Sequence, residues 1–198
     1  GDTLVRGNTK QIIADPTGYQ FEELVQDLKD FLLDSDGNLG PVLQSQNQLY
    51  LNGQWKHTLT GSEDTTRMAS IDGQYLISTV DNYKRVLTLY DKELKQLDTV
   101  QFHADKWKEE SFHHIHLIKT AVVSKISVAI IGFCDIEIAA VSVRKGKISI
   151  LSEPTVIYDK TSLLSIEVTD NGYVYVNLYA TDIEADKSTV NPIKLFKL

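Results

Sequence analysis

Cysteine is almost absent from this 198-residue chain: Cys134 stands alone, so no intramolecular disulfide can form. No Asn-x-Ser/Thr glycosylation acceptor occurs either. Both absences fit a reducing, intracellular setting, cytoplasmic or nuclear, better than secretion. Long apolar runs are missing too. The longest, around residues 126–131, falls far below the roughly 20 residues that span a bilayer as a helix. The first residues as they stand carry no basic-then-apolar signal pattern, so a soluble chain with no membrane span is expected. Positive charge is in deficit: 20 Lys and Arg face 27 Asp and Glu, for a net charge of −7. That balance argues against nucleic acid as the main ligand, because phosphate-backbone affinity rests on Lys and Arg. The one basic cluster, Arg144, Lys145 and Lys147 around Gly146, reads as a solvated turn between two strands.

Catalytic motifs are equally scarce. There is no Gly-x-Ser-x-Gly and no Gly-rich phosphate loop, and Cys134 beside Asp135 has no cationic neighbour in sequence to lower its pKa. The pairs Glu22-Glu23 and Glu109-Glu110 are adjacent in sequence, where two side chains point apart on a helix or strand and cooperate poorly as acid and base. The stretch Asp34-Ser35-Asp36-Gly37-Asn38 invites comparison with a calcium loop, but that register puts Leu32 and Leu43 at the terminal ligand positions, where neither offers an oxygen. No cofactor is expected.

What is present is a repeat. Three apolar, strand-like runs each end near a lone aspartate: Gln74 to Asp81, a second reaching Asp135, and a third reaching Asp182. The aspartates fall 54 and 47 residues apart, close to the period of about 40 to 50 residues at which sheet units stack in repeat architectures. A composition of 42% hydrophobic and 24% charged residues is ample for the core of such a domain.

The chain divides into three parts. Residues 1–14 are polar and unpatterned and read as an extended arm. Residues 15–40 read as an amphipathic helix and a turn. Asp15-Pro16 marks the entry, Thr17 and Gln20 have capping-box spacing, and Phe21, Leu24, Val25, Leu28, Phe31 and Leu32 recur at helical spacing until Gly37. Residues 41–198 read as a β-repeat domain. Asn52-Gly53 joins two strands in a tight hairpin. Strands are expected at 67–71, 74–80, 85–90 and 96–102, a four-stranded meander in 36 residues. A second meander is expected at 112–119, 127–133, 137–143 and 147–150, with a fifth short run at 155–158. The last set, at 163–168, 173–179 and 193–198, lacks a fourth strand. Runs that are apolar on consecutive residues fit strands covered on both faces.

The segment from Met68 to Phe102 resembles a WD40-type blade. Ile71-Asp72-Gly73-Gln74-Tyr75-Leu76-Ile77-Ser78 is similar to the family's run into its second strand. Asp81 stands where the family keeps a turn aspartate, and Leu89-Tyr90-Asp91 sits at the place of the Trp-Asp dipeptide. The Gly-His pair is missing and Tyr-Asp replaces Trp-Asp. The resemblance implies a β-propeller of four-stranded antiparallel meanders, here partial or completed by a partner, and a scaffold role in protein–protein interaction. A β-sandwich is the alternative fold.

The residues that could carry function follow. Trp55, Tyr83 and Trp107 lie in turns or at strand ends, where a large aromatic either caps the core or anchors an interface. The stripe Phe21, Leu24, Leu28 and Phe31 either covers the β-domain or docks on another protein. His114 and His116 share a face of one expected strand, a workable spacing for two metal ligands, with Cys134, Asp135 or Glu137 as a third. The favoured reading is a non-enzymatic interaction subunit of an intracellular complex, either homo-oligomeric or bound to a protein partner. The alternatives are a small metal-dependent enzyme using His114 and His116, and a non-catalytic ligand-binding β-domain.

Overall fold

The computed structural model describes residues 2–6, 9–13, 28–33, 39–45, 48–51, 54–59, 67–81, 84–102, 115–133, 137–156, 161–180 and 193–198. All regular structure among these residues is β-strand. A two-stranded hairpin, β1 (Asp2–Arg6) and β2 (Thr9–Ile13), comes first. Four antiparallel meanders follow in chain order. The first contains β3 (Leu28–Leu33), β4 (Leu39–Ser45), β5 (Gln48–Leu51) and β6 (Gln54–Thr58). The second contains β7 (Arg67–Ile71), β8 (Gln74–Asp81), β9 (Lys84–Tyr90) and β10 (Gln96–Phe102). The third contains β11 (Ile115–Val123), β12 (Ile126–Phe133), β13 (Glu137–Arg144) and β14 (Lys147–Val156). The fourth has three strands, β15 (Thr161–Val168), β16 (Tyr173–Ala180) and β17 (Ile193–Lys197).

Local chemistry explains the tight hairpins. Asp72 and Gly73 both have positive φ (49° and 67°), as do Ser124 and Lys125 (50° and 67°) and Lys145 and Gly146 (52° and 72°). Two successive left-handed residues give the turn whose twist matches that of paired strands, which is why Asp-Gly and Lys-Gly serve there. Between β15 and β16, Gly172 has φ +83°, and a Cβ on it would come within 3.1 Å of Val123 Cγ1. The positive φ is what favours glycine there, and a side chain would also press on Val123.

The three aspartate-terminated runs supply the second strands of three successive meanders, β8, β12 and β16. Asp81 closes β8, while Asp135 and Asp182 lie outside the described residues. The sheets stack with their first strands side by side: β3 beside β7, β7 beside β11, and β11 beside β15. Each interface has its own core. Leu49, Leu51, Leu59, Met68, Ile77 and Tyr90 fill the first. Leu76, Leu87, Leu89 and Phe102 meet Ile131, Phe133 and Val141 in the second, and Ile130 and Ala140 meet Ile166, Val174 and Val176 in the third. Side chains alternate across a strand, so Leu76 and Ile77 enter different cores, as do Ile130 and Ile131. A continuous apolar run is therefore what these inner strands require, and each fully buried aliphatic side chain contributes about 1.5–3 kcal/mol.

Several expectations change. The helix proposed for 15–40 does not extend over its second half: Leu28–Leu33 is strand β3, paired with Leu39–Ser45. Phe31, Leu32 and Leu33 form a short apolar run, and such a run serves a strand as readily as a helix stripe, the sheet's ladder then deciding. The first half, with Phe21 and Leu24, lies outside the described residues. Where an extended arm was expected, Asp2–Arg6 pairs with Thr9–Ile13. The fifth run begins as the end of β14, which continues through Pro154 to Val156 past register shifts against β13, and its last two residues lie outside the described ones. Pro is tolerated there because β14 is an edge strand.

Candidate functional site

The second and third sheets are closed against each other at two levels. In the core, Arg85 of β9 lies on the same face of its strand as Leu87 and Leu89, and Glu137 of β13 on the same face as Ala139 and Val141. The two side chains meet with Arg85 Nη1 at 2.5 Å from Glu137 Oε2, and the guanidinium lies 4.4 Å from the centre of the Phe133 ring. Phe133 in turn packs edge-on against Phe102 at 5.5 Å. Nearer the outer edge, the Ile148 backbone N–H donates to Asp98 Oδ2 at 2.9 Å, and Lys147 Nζ lies 3.5 Å from Oδ1. These contacts hold the Asp98 carboxyl below the usual carboxylate range, mainly through the Ile148 bond; burial opposes the effect.

The first and second sheets meet differently. Between β6 and the face of β8, β9 and β10 lies a cleft of about 340 Å³, lined by His57, Thr79, Thr88, Tyr90, Gln96 and Thr99 among others. A hydroxyl relay runs from its exposed rim inward: Gln96 Nε2 donates to Thr99 Oγ1 (3.1 Å), which donates to the buried Thr88 Oγ1 (3.2 Å). A bulge at Lys56 interrupts the pairing of β6 with β5 between Trp55 and His57, and bulges of this kind re-aim neighbouring side chains. His57 Nε2 lies 2.5 Å from the Leu94 carbonyl oxygen. A carbonyl only accepts, so this nitrogen carries the proton and donates, and in the neutral ring Nδ1 is left as an acceptor. The His57 ring tilts against Tyr90 at 5.9 Å, and burial pushes the Tyr90 hydroxyl above its ordinary pKa. Among the described residues, no Asp, Glu, Lys or Arg lines the cleft. The arrangement suits hydrogen bonding to an uncharged ligand, and it holds no paired acid and base for proton transfer.

Among the described residues, the last sheet packs against a neighbour on one face. Along β16, Val174 and Val176 are buried against the third sheet, while Tyr173 and Tyr175 are exposed on the other face, at 36% and 42%. Lys197 of β17 lies over the Tyr173 ring at 4.1 Å, and its Nζ donates to the Asn171 carbonyl.

The candidates named from sequence are scattered. Trp55 is on β6 and 57% exposed. Leu28 and Phe31 belong to β3. Phe21, Leu24, Tyr83, Trp107 and His114 lie outside the described residues, and His116 falls within β11. Among the described residues, no three His, Cys, Asp or Glu side chains gather where they could hold a metal, and no helix is long and apolar enough to cross a membrane. Sequence reasoning passed over His57, Arg85 and Asp98, and named Glu137 only as a possible third metal ligand. For Arg85 and Glu137 a signal existed: each is a charge in phase with the apolar face of its strand.

No protein-family model matches the chain, and no curated protein does. Among solved structures it is similar to the N-terminal domain of Nup159, with a TM-score of 0.47 and 11% identity over 85% of this chain and 44% of that one. It is also similar to a chain in an S. cerevisiae complex of Dbp5 with Nup159, Gle1, IP6 and ADP, with a TM-score of 0.43 and 12% identity over 78% and 40%. The chain thus spans less than half the length of either.

Proposed function

We propose that this chain is a non-enzymatic protein–protein interaction subunit whose stacked meanders form a sector of a β-propeller, completed by a protein partner or a second copy. Three features support the sector. Successive four-stranded meanders pack face to face, their first strands line up in chain order, and every interface has a separate core. The observation that carries the interaction role is the change of pattern in the second strands. At the centre of β8, Leu76, Ile77, Ser78 and Thr79 are all buried, and β12 is buried from Val128 to Phe133. In β16 buried valines alternate with exposed tyrosines. The inner sheets are covered twice and the last sheet once, so the tyrosine face is where a further sheet belongs. Exposed Tyr side chains also have the chemistry of interface anchors.

Native mass spectrometry tests this reading. The purified chain is expected above its single-chain mass of 22.3 kDa, as an oligomer or with a stoichiometric protein partner. Tyr175→Asp should return it to that mass and unfold at the temperature of the wild type measured in its dissociated form. A wild-type chain that stays at the single-chain mass at every concentration and holds no partner overturns the proposal.

A further inference from the structure

The cleft between the first two sheets has an uncharged, hydroxyl-rich wall and an open strand beside it. Among the described residues β6 pairs only with β5, so one row of its backbone N–H and C=O groups has no described strand beside it. Four of its five side chains are exposed, Trp55 among them. The neighbouring interface is built otherwise, since Asp98 fastens β10 to the start of β14 and Pro154 interrupts the far part of that edge. Proteins manage exposed edges because they recruit strands. Here the edge runs beside a cavity of about 340 Å³, within the size range of small-ligand sites.

We propose that β6 and this cleft take up an extended, uncharged peptide segment of a protein partner by strand addition, a site that deepens the interaction role and rests on it. The peptide backbone pairs with the open edge of β6. Every second side chain then points into the cleft, against the methyl and hydroxyl groups of Thr79, Thr88 and Thr99. Gln96 and His57 supply polar contacts at the walls. A formal charge on an inserted side chain would find no counter-charge among the lining residues, so Val-, Ile- or Thr-like residues are selected at alternate positions.

The probe is a library of random short peptides displayed on phage and panned against the whole chain. Enriched sequences are then synthesised with blocked termini and titrated by fluorescence anisotropy. The expected result is a set with uncharged β-branched residues at alternate positions. Binding should weaken by roughly tenfold or more on Thr99→Glu, which places a carboxylate at the exposed rim, while that variant unfolds at the wild-type temperature. Methylating alternate backbone nitrogens of the peptide should abolish binding by removing the donors that strand pairing needs, with the protein left untouched. Lys92→Glu, on the exposed β9–β10 turn, should change nothing. No enrichment, indifference to Thr99→Glu, equal weakening by Lys92→Glu, or full binding of the methylated peptide would each overturn the proposal. The last outcome would mark the cleft as a pocket for a compact neutral molecule. None of these results touches the tyrosine face of β16, whose test reads assembly mass.

Discussion

The guanidinium of Arg85 and the carboxylate of Glu137 meet at 2.5 Å between the second and third sheets, with Arg85 wholly buried and Glu137 nearly so. Each charge is paid for by the other, and by the Phe133 ring that backs the guanidinium. Removing the carboxylate deletes a buried, charge-assisted contact of the guanidinium. Glu137→Ala should therefore destabilise the chain by about 3–5 kcal/mol in urea unfolding. Combining it with Arg85→Met should recover most of the loss, because a well-packed apolar pair substitutes for a buried ion pair at little cost. A double variant no more stable than Glu137→Ala would mean that the pair is held for packing of the arginine stem alone.

That pair also measures what could be read in advance. Strand alternation puts Arg85 in phase with Leu87 and Leu89, and Glu137 in phase with Ala139 and Val141. Opposite charges on two core faces are thus visible in one dimension, although nothing local says that the two strands belong to facing sheets. The β7–β10 meander was legible to within a residue or so, because Asp72-Gly73 and the Asp91 turn punctuate strands of unambiguous period. Leu28–Leu33 was not, since its apolar residues fit a helical stripe and its strand state depends on pairing with β4. The cleft was invisible for a similar reason: His57, Thr79, Thr88 and Thr99 come from four strands, and their threonines look in sequence like ordinary strand residues.

Asp98 should make stability depend on pH. Its folded pKa lies below the unfolded value because the carboxylate accepts the Ile148 N–H. Its contribution is therefore present above the ordinary carboxylate range, about pH 4, and is lost as pH falls through the folded pKa. The gap in urea midpoint between wild type and Asp98→Ala should be constant near neutrality and shrink below that range. Asp98→Asn keeps an acceptor for Ile148 without a titrating group, so its midpoint gap to the alanine variant should not vary with pH.

The β11–β12 turn offers a stabilising change. Ser124 and Lys125 both hold positive φ without glycine, at a cost of roughly 1–2 kcal/mol per residue in the left-handed region. Replacing them by Asn-Gly, the pair best suited to this turn, should raise stability by about 1 kcal/mol and the thermal midpoint by roughly 2–4 °C. The larger flexibility of glycine in the unfolded chain offsets the rest of the relief. Differential scanning calorimetry of the double variant checks it.

The contrast between inner and terminal sheets can be tested on side chains alone. In β8, Leu76 faces one core and Ile77 the next, so Leu76→Ala and Ile77→Ala should each cost about 2–5 kcal/mol. In β16 the effects should alternate. Val176 is fully buried, and Val176→Ala should cost on the order of 2 kcal/mol. Tyr175 points away from the third sheet, and Tyr175→Ser should stay within about 0.5 kcal/mol in the dissociated chain. Chemical denaturation at concentrations low enough to separate any assembly reads all four. If Tyr175→Ser costs as much as Val176→Ala, the outer face of β16 is already covered within the chain, and no further sheet belongs there.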